Sequence, residues 1–325
     1  MAPAAELPAR LLAAASLLLG PAGALADEPG EWLGRMDQAL RELSYEGLLV
    51  YVHGGAVESL KLIHTRDGDR QRERLESLNG APRVVIRDQE RVTCLIPEGR
   101  AISMKRDPGR RPLALPEIDP VQLSAAYTPR VEGMGRIAGR AAKVVALVPK
   151  DSYRYGYRLY LDEEHALPLK ADLLDESGKV LAQTMFVELR VGPEVRDEAP
   201  ADVADADAGD ASMMDVREGP AAEASPSRWS FSNLPAGFRV AMRGRRAVGP
   251  AHPEVEHLVL TDGVASISLF VSPSRQELEG PAELGAVNAY GRQVSGYHVT
   301  AMGEVPLRTL QTVVGGLRTR ADGKP

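Results

Sequence analysis

Residues 136–190 string together strand-forming runs broken by turn sequences, and this stretch limits the possible folds more than any other part of the chain. Tyr153, Tyr155, Tyr157, Leu159 and Leu161 share one parity, and Arg154, Gly156, Arg158, Tyr160 and Asp162 share the other. Successive strand residues face opposite sides, so the pattern predicts a sheet with one apolar and one charged, wet surface. Asp162-Glu163-Glu164-His165 and Asp175-Glu176-Ser177-Gly178 are turn-rich breaks, which favours an antiparallel meander over a helix-crossed parallel sheet. So wide an apolar face must be covered, by helices or by a ligand.

The residues before it supply a helix. Trp32, Met36, Ala39, Leu40 and Leu43 recur at helical spacing within Glu31 to Leu43, with charged residues between them, which predicts an amphipathic helix docked on a sheet. A strand over Tyr45 to Val52 then pairs with Ser59 to Thr65 across Gly54-Gly55, and Gln71 to Leu78, Val84 to Arg87 and Arg91 to Ile96 continue the meander. Arg106 to Pro120 reads as an excursion over the surface. A short helix follows around Val121 to Tyr127, with Asp119 as cap and Pro120 in its first turn. A helix laid down first and a long antiparallel sheet after it is the order of a half-open barrel around a helical plug, an α+β fold.

Residues 193–226 hold ten acidic residues against two arginines and no periodic apolar pattern. Such a segment cannot bury enough surface to offset its ordering entropy, so it reads as a self-repelling tether. The formal net charge of the whole chain is −6, so the acidity is concentrated in this linker. The division expected is a leader at 1–26, a first domain at 27–192, the linker at 193–226 and a second, smaller α+β domain at 227–325. In that last domain Trp229 to Phe231, Phe238 to Met242, Glu256 to Leu260 and Ala265 to Val271 read as strands, with Asp262-Gly263 as a tight turn. Ala282 to Asn288 reads as a helical stub, Gly296 to Val305 as two short strands, and Pro306 to Gly315 as the final helix.

Arg10, the apolar run Leu11 to Leu19 and Ala24-Leu25-Ala26 have the form of a removable export signal, since the apolar core is below the roughly 20 residues that span a bilayer. Nothing later in the sequence predicts stable membrane insertion. Cys94 is the only cysteine, so no internal disulfide can form and the core must carry stability. It reads as a small buried residue or, alternatively, as a redox or intermolecular thiol. No basic stripe suggests nucleic acid.

The sequence carries no catalytic signature and no cofactor fingerprint: nucleophile elbow, phosphate loop and dinucleotide motif are all missing. His252 and His257, with Glu254 and Glu256, are the one metal-like group, but in a strand the two histidines would face opposite sides; solvated strand-edge residues are the expectation, and no metal. Arg239, Arg243, Arg245 and Arg246 crowd eight residues and suit carboxylates or phosphates, as on an acidic peptide or a lipopolysaccharide. The alternative is a solvated strand. Trp32, Met36, Tyr153, Tyr155, Tyr157 and Leu159 are candidates to line an apolar cup, or simply to pack between helix and sheet.

Arg136-Ile-Ala-Gly-Arg140, Pro149-Lys-Asp-Ser-Tyr-Arg-Tyr-Gly-Tyr157, Leu167-Pro-Leu-Lys170, Leu173-Leu-Asp-Glu-Ser-Gly178, Leu234-Pro-Ala-Gly-Phe-Arg239 and His298-Val-Thr-Ala-Met-Gly-Glu-Val-Pro306 resemble, in order, the RseB/MucB family of periplasmic regulators of the envelope-stress sigma factor. The resemblance implies a first domain like the incomplete barrels of the lipoprotein carriers LolA and LolB. It also implies a periplasmic location and two partners: the periplasmic domain of an RseA/MucA-like anti-sigma factor, held mostly by the second domain, and lipopolysaccharide or lipid acyl chains sensed by the cup. A homo-oligomer is left open. The other class of function compatible with these residues is a lipid or lipoprotein carrier, for which the second domain has no evident use.

Overall fold

The structure, a computed structural model, describes residues 28–88, 91–96, 100–105, 120–197, 228–247, 254–273 and 278–319. The leader, the cap at Asp119, most of the Arg106 to Pro120 excursion and the linker from residue 198 lie outside the described residues.

Helix α1 (Pro29–Glu42) opens on a proline, whose fixed φ suits a first turn, and buries Trp32, Leu33, Met36, Ala39 and Leu40 along one stripe. The chain then runs back and forth through β1 (Tyr45–His53), β2 (Ala56–Asp67), β3 (Arg70–Ser77), β4 (Val84–Arg87), β5 (Arg91–Ile96) and β6 (Arg100–Lys105). The β1–β2 turn needs left-handed backbone, and Gly54 and Gly55 supply it at φ 53 and 82. After α2 (Pro120–Ala126) come β7 (Tyr127–Ile137), β8 (Arg140–Pro149), β9 (Gly156–Asp162), β10 (Pro168–Leu174) and β11 (Val180–Val191).

All eleven strands form one antiparallel sheet in the order β6-β5-β4-β3-β2-β1-β11-β10-β9-β8-β7. Two meandering wings therefore meet along a single seam, where β1 pairs with β11. The sheet curls around α1, whose buried stripe packs on Leu49, Leu60, Leu75, Val145, Leu159, Leu161 and Phe186 from strands in both wings. Each such side chain stabilises by about 1.5–3 kcal/mol when fully buried. Edge strands β6 and β7 do not pair with each other, so the barrel stays open.

The second domain adds β12 (Trp229–Phe231), β13 (Arg239–Ala247), β14 (Glu254–Thr261), β15 (Ser266–Ser272), β16 (Gly280–Leu284), β17 (Val287–Val294), β18 (Tyr297–Gly303), α3 (Leu307–Gly316) and β19 (Leu317–Thr319). Six strands form a sheet in the order β13-β14-β15-β18-β17-β16, and β12 pairs with β19 beside it. Leu258, Ile267, Leu269, Val299, Leu310, Val313 and Trp229 fill the core between this sheet and α3.

Several expectations need correction. The stub at Ala282 to Asn288 is a β-hairpin: β16 and β17 pair from Gly280↔Gly291 to Leu284↔Val287. Gly285 at φ 63 turns the corner, and cross-strand pairing overrides the helix-forming Ala-Glu-Leu. Gly296 to Val305 holds one strand, β18, which pairs with β17 and β15. Tyr153 and Tyr155 precede β9 instead of lying in it. The segment read as tether is docked over its first residues: Val195 is buried and Asp197 pairs with Arg72 and Arg74 at 3.1 and 2.7 Å.

Candidate functional site

Asp151 to Tyr155 form the loop between β8 and β9, and the second domain sits on it. Arg154, expected on a charged, wet face, is 1 % exposed. Its Nε donates to Asp151 Oδ1 at 3.1 Å, Nη1 to Asp262 Oδ2 at 2.9 Å and Nη2 to the Ala236 carbonyl at 2.6 Å. The guanidinium also lies 5.1 Å from the Phe238 ring centroid and 5.8 Å from that of Tyr127. A permanently charged fork with several donors is the group that can tie one loop to two others in a dry site.

Asp262 is built to receive it. The side chain is fully buried, and Oδ1 accepts the Val264 and Ala265 N–H groups at 2.9 and 2.8 Å, which fixes the β14–β15 turn and leaves Oδ2 for Arg154. Burial pushes this carboxyl above the usual aspartate range, against the pull of the Val264 N–H and of Arg154. The turn expected at Asp262-Gly263 is present, but its aspartate spans the two domains as well.

Other contacts surround this pair. Thr309 Oγ1, at the start of α3, donates to the Tyr153 carbonyl at 2.7 Å. Asn288 Nδ2 donates to the Tyr155 hydroxyl at 3.0 Å and to the Val305 carbonyl at 2.9 Å. Val264 and Ala286 from the second domain belong to the same apolar cluster as Trp32 and Met36 of the first. Turns of the second domain thus close one end of the open barrel.

The cup candidates divide accordingly. Trp32, Met36, Tyr157 and Leu159 meet in one cluster and are 7, 2, 7 and 0 % exposed. Tyr155 packs against the same cluster and meets Asn288 of the second domain through its hydroxyl, and Tyr153 meets that domain through its carbonyl. Beside Tyr157 lies a solvent-open cleft of about 240 Å³ lined by Tyr51, Ala171, Leu173, Ala182, Gln183, Thr184 and Glu304, whose enclosed part has room for little more than a water. Among the described residues, this interior has room for an acyl chain only if α1 or the second domain moves.

The arginine strand is β13, at an edge of the six-stranded sheet. Arg239 and Arg243 are exposed, and Arg243 Nη1 donates to the Trp229 carbonyl at 3.3 Å. Arg245 and Arg246 pair in register with Glu256 and Val255; their side chains lie outside the described residues. Adjacent strand positions belong to opposite faces, so the four positions do not make a single clamp. His257 is not a solvated edge residue: it is 1 % exposed, in β14 between two strands, with its ring stacked on Phe270 at 4.5 Å. His252 lies outside the described residues. Asp162, Glu164 and His165 do converge, but Arg140 fills their centre with two bonds to Asp162 and one to Glu164. Cys94 is half-buried, and burial raises its thiol pKa, away from the reactive thiolate.

Sequence reasoning missed Asp151, Arg154, Asp262, Asn288, Glu304 and Thr309 as members of one contact. A signal was present: the blocks Pro149 to Tyr157, Leu234 to Arg239 and His298 to Pro306, which carry the family resemblance, converge here.

An open antiparallel barrel, capped at one end by a smaller sheet domain and keyed to it through a buried arginine with polar and apolar contacts around it, defines a two-domain protein. Residues 28–204 match the MucB/RseB N-terminal domain and residues 223–318 the MucB/RseB C-terminal domain. The chain belongs to the MucB/RseB family. It is 34% identical over 319 residues to the sigma factor AlgU regulatory protein MucB of Pseudomonas aeruginosa, covering 96% of this chain and 97% of that one. The sigma-E factor regulatory protein RseB of Escherichia coli is 24% identical, over 94% of this chain and 96% of its own. A solved complex of Pseudomonas aeruginosa MucA and MucB superposes with TM-score 0.68 at 30% identity, covering 90% of this chain and 98% of that one. A crystal structure of MucB with MucA(peri) gives the same TM-score.

Proposed function

We propose that this chain is a periplasmic regulator that binds the periplasmic segment of a membrane anti-sigma factor, shields it from the protease that begins its destruction, and releases it on a lipid or lipopolysaccharide signal. The observation that carries this reading is the likeness along both domains to MucB, a sigma factor regulatory protein whose solved structures include complexes with MucA. No helix among the described residues is long and apolar enough to cross a membrane, which suits a partner that works beside one.

The chemistry of this function is occlusion. A flexible segment bound along a folded protein is removed from a protease that needs extended chain, and the affinity gained must exceed the ordering entropy of the segment. A signal releases the segment only if it binds one arrangement of the two domains better than the other. The filled interior supplies such a difference: an acyl chain among Trp32, Met36, Tyr157 and Leu159 would compete with the packing of α1 and of Val264 and Ala286. Exposed Arg239 and Arg243 on edge strand β13 are the proposed contacts for acidic groups of the partner or for lipid phosphates.

A protease-protection assay on the anti-sigma periplasmic segment, with and without this chain, tests the reading. Protection that falls on adding lipopolysaccharide is the expected result, and cleavage at an unchanged rate refutes it. Arg239→Ala with Arg243→Ala should weaken binding several-fold at low salt; unchanged affinity for both segment and lipopolysaccharide removes that strand as a contact.

A further inference from the structure

Glu304 follows β18 in the second domain and reaches across to the first, where Tyr51 and Tyr157 line the same small cleft. It is half-buried, and its one hydrogen bond among the described residues comes from the Tyr51 hydroxyl at 3.5 Å, the long limit for such a bond. A carboxylate drawn out of water with a single long donor is poorly compensated. The neutral acid suits the site better. It can itself donate, and Thr184 Oγ1, 4 % exposed and lining the cleft, has no hydrogen-bond partner among the described residues.

We infer that Glu304 is a pH-sensitive latch between the two domains: protonated, it holds the second domain over the end of the barrel, and ionised, it loosens that contact. This goes beyond the proposed function and does not depend on it, because no partner is needed to observe it.

The groups facing Glu304 are few. Tyr51 and His53 come from β1, with rings stacked at 4.5 Å, and Glu58 of β2 holds His53 Nε2 at 3.0 Å. Tyr157 faces it from β9, and the lining from β10 and β11, Ala171, Leu173, Ala182, Gln183 and Thr184, carries no charge. Burial raises the Glu304 carboxyl above the usual glutamate range, with the Tyr51 hydrogen bond and the nearby His53 opposing it. Burial first, and the Glu304 charge next, push the Tyr51 hydroxyl up to about 12, so Tyr51 stays a donor throughout. A carboxyl whose pKa is higher in the closed form than in the open one binds an extra proton on closing. Closure is therefore favoured below the ordinary glutamate value. It is lost as pH rises through the raised value, by up to about tenfold in the closed-to-open ratio per pH unit.

Small-angle X-ray scattering of the full chain between pH 4 and 8 tests this. The radius of gyration of the wild type should grow with pH, Glu304→Gln should stay compact across the range, and Tyr51→Phe, which removes the one donor to the ionised form, should be more open than wild type at the upper end. A wild-type radius that does not change, or a Glu304→Gln profile that tracks the wild type, overturns the latch and assigns any change to His53, Glu58 or the acidic linker. Circular dichroism of each variant separates loosening from unfolding.

Discussion

Replacing Arg154 with methionine keeps most of the buried volume and removes the charge, so the joint between the domains can be tested at one atom group. The substitution deletes bonds of 2.9 Å to Asp262 and 2.6 Å to the Ala236 carbonyl and leaves the fully buried Asp262 carboxylate with backbone donors only. Removing one partner of a buried ion pair costs about 3–5 kcal/mol, most of it the stranded charge. At about 2–4 °C per kcal/mol for a cooperative unit of this size, calorimetry of the full chain should show the main transition about 6–20 °C lower, or split into two if the domains part first. Asp262→Asn in the same chain removes the stranded charge while an amide oxygen still caps Val264 and Ala265, so the double variant should recover at least about 1 kcal/mol. The pH dependence has a sign as well. The Asp262 carboxyl already lies above its ordinary range through burial, and loss of Arg154 drives it higher. The variant's deficit against wild type should therefore be smallest below the ordinary aspartate value and grow as pH rises through the raised one. A single transition within about 2 °C of wild type would refute the assignment of Arg154 as the joint.

Arg140→Ala breaks a bidentate contact to Asp162, whose carboxyl burial alone would raise but which bonds from Arg140 and His165 hold below the usual range. That stability is present above the ordinary aspartate pKa and lost as pH falls through the depressed value, so the variant should lose about 1–3 kcal/mol at neutral pH and less in acid, by urea titration at pH 7 and pH 3. Leu33→Ala, at a fully buried position of α1, should cost about 2–5 kcal/mol in the same assay, and a loss under about 1 kcal/mol would mean α1 is not fixed in the barrel.

What the sequence reveals about this fold is periodicity, and periodicity served where one surface decides a residue's place. The stripe Trp32, Met36, Ala39, Leu40 located α1, and the Gly54-Gly55 turn fixed the first hairpin. Arg154 defeats that reasoning because alternation distinguishes the faces of a sheet and says nothing about a second domain resting on the loop before it. His257 fails for a related reason: a polar side chain in β14 looks like an edge residue until β13 and β15 flank it. The hairpin at Gly280 to Val294 was hidden by helix-forming residues whose local preference is worth only tenths of a kcal/mol each, less than a ladder of strand pairs. For the site, the sequence named aromatic residues that meet in the barrel, and a family likeness whose blocks met at the domain contact. The partners of Arg154 could not be paired in advance, because no spacing rule links residues 154 and 262.

The seam between β1 and β11 sets Tyr45 opposite Val191, whereas every other pairing in the large sheet joins neighbours in the chain. Each wing can zip up as its own hairpins emerge, at small loop-closure cost, but the first strand waits for the last. A chain threaded across a membrane from its amino end would therefore carry α1 and β1 with one flank bare until residue 191 had come through. For a chain exported in that way, assembly of the first domain would wait on completion of transport, and the interval before it is when chaperones on the far side would have most to hold.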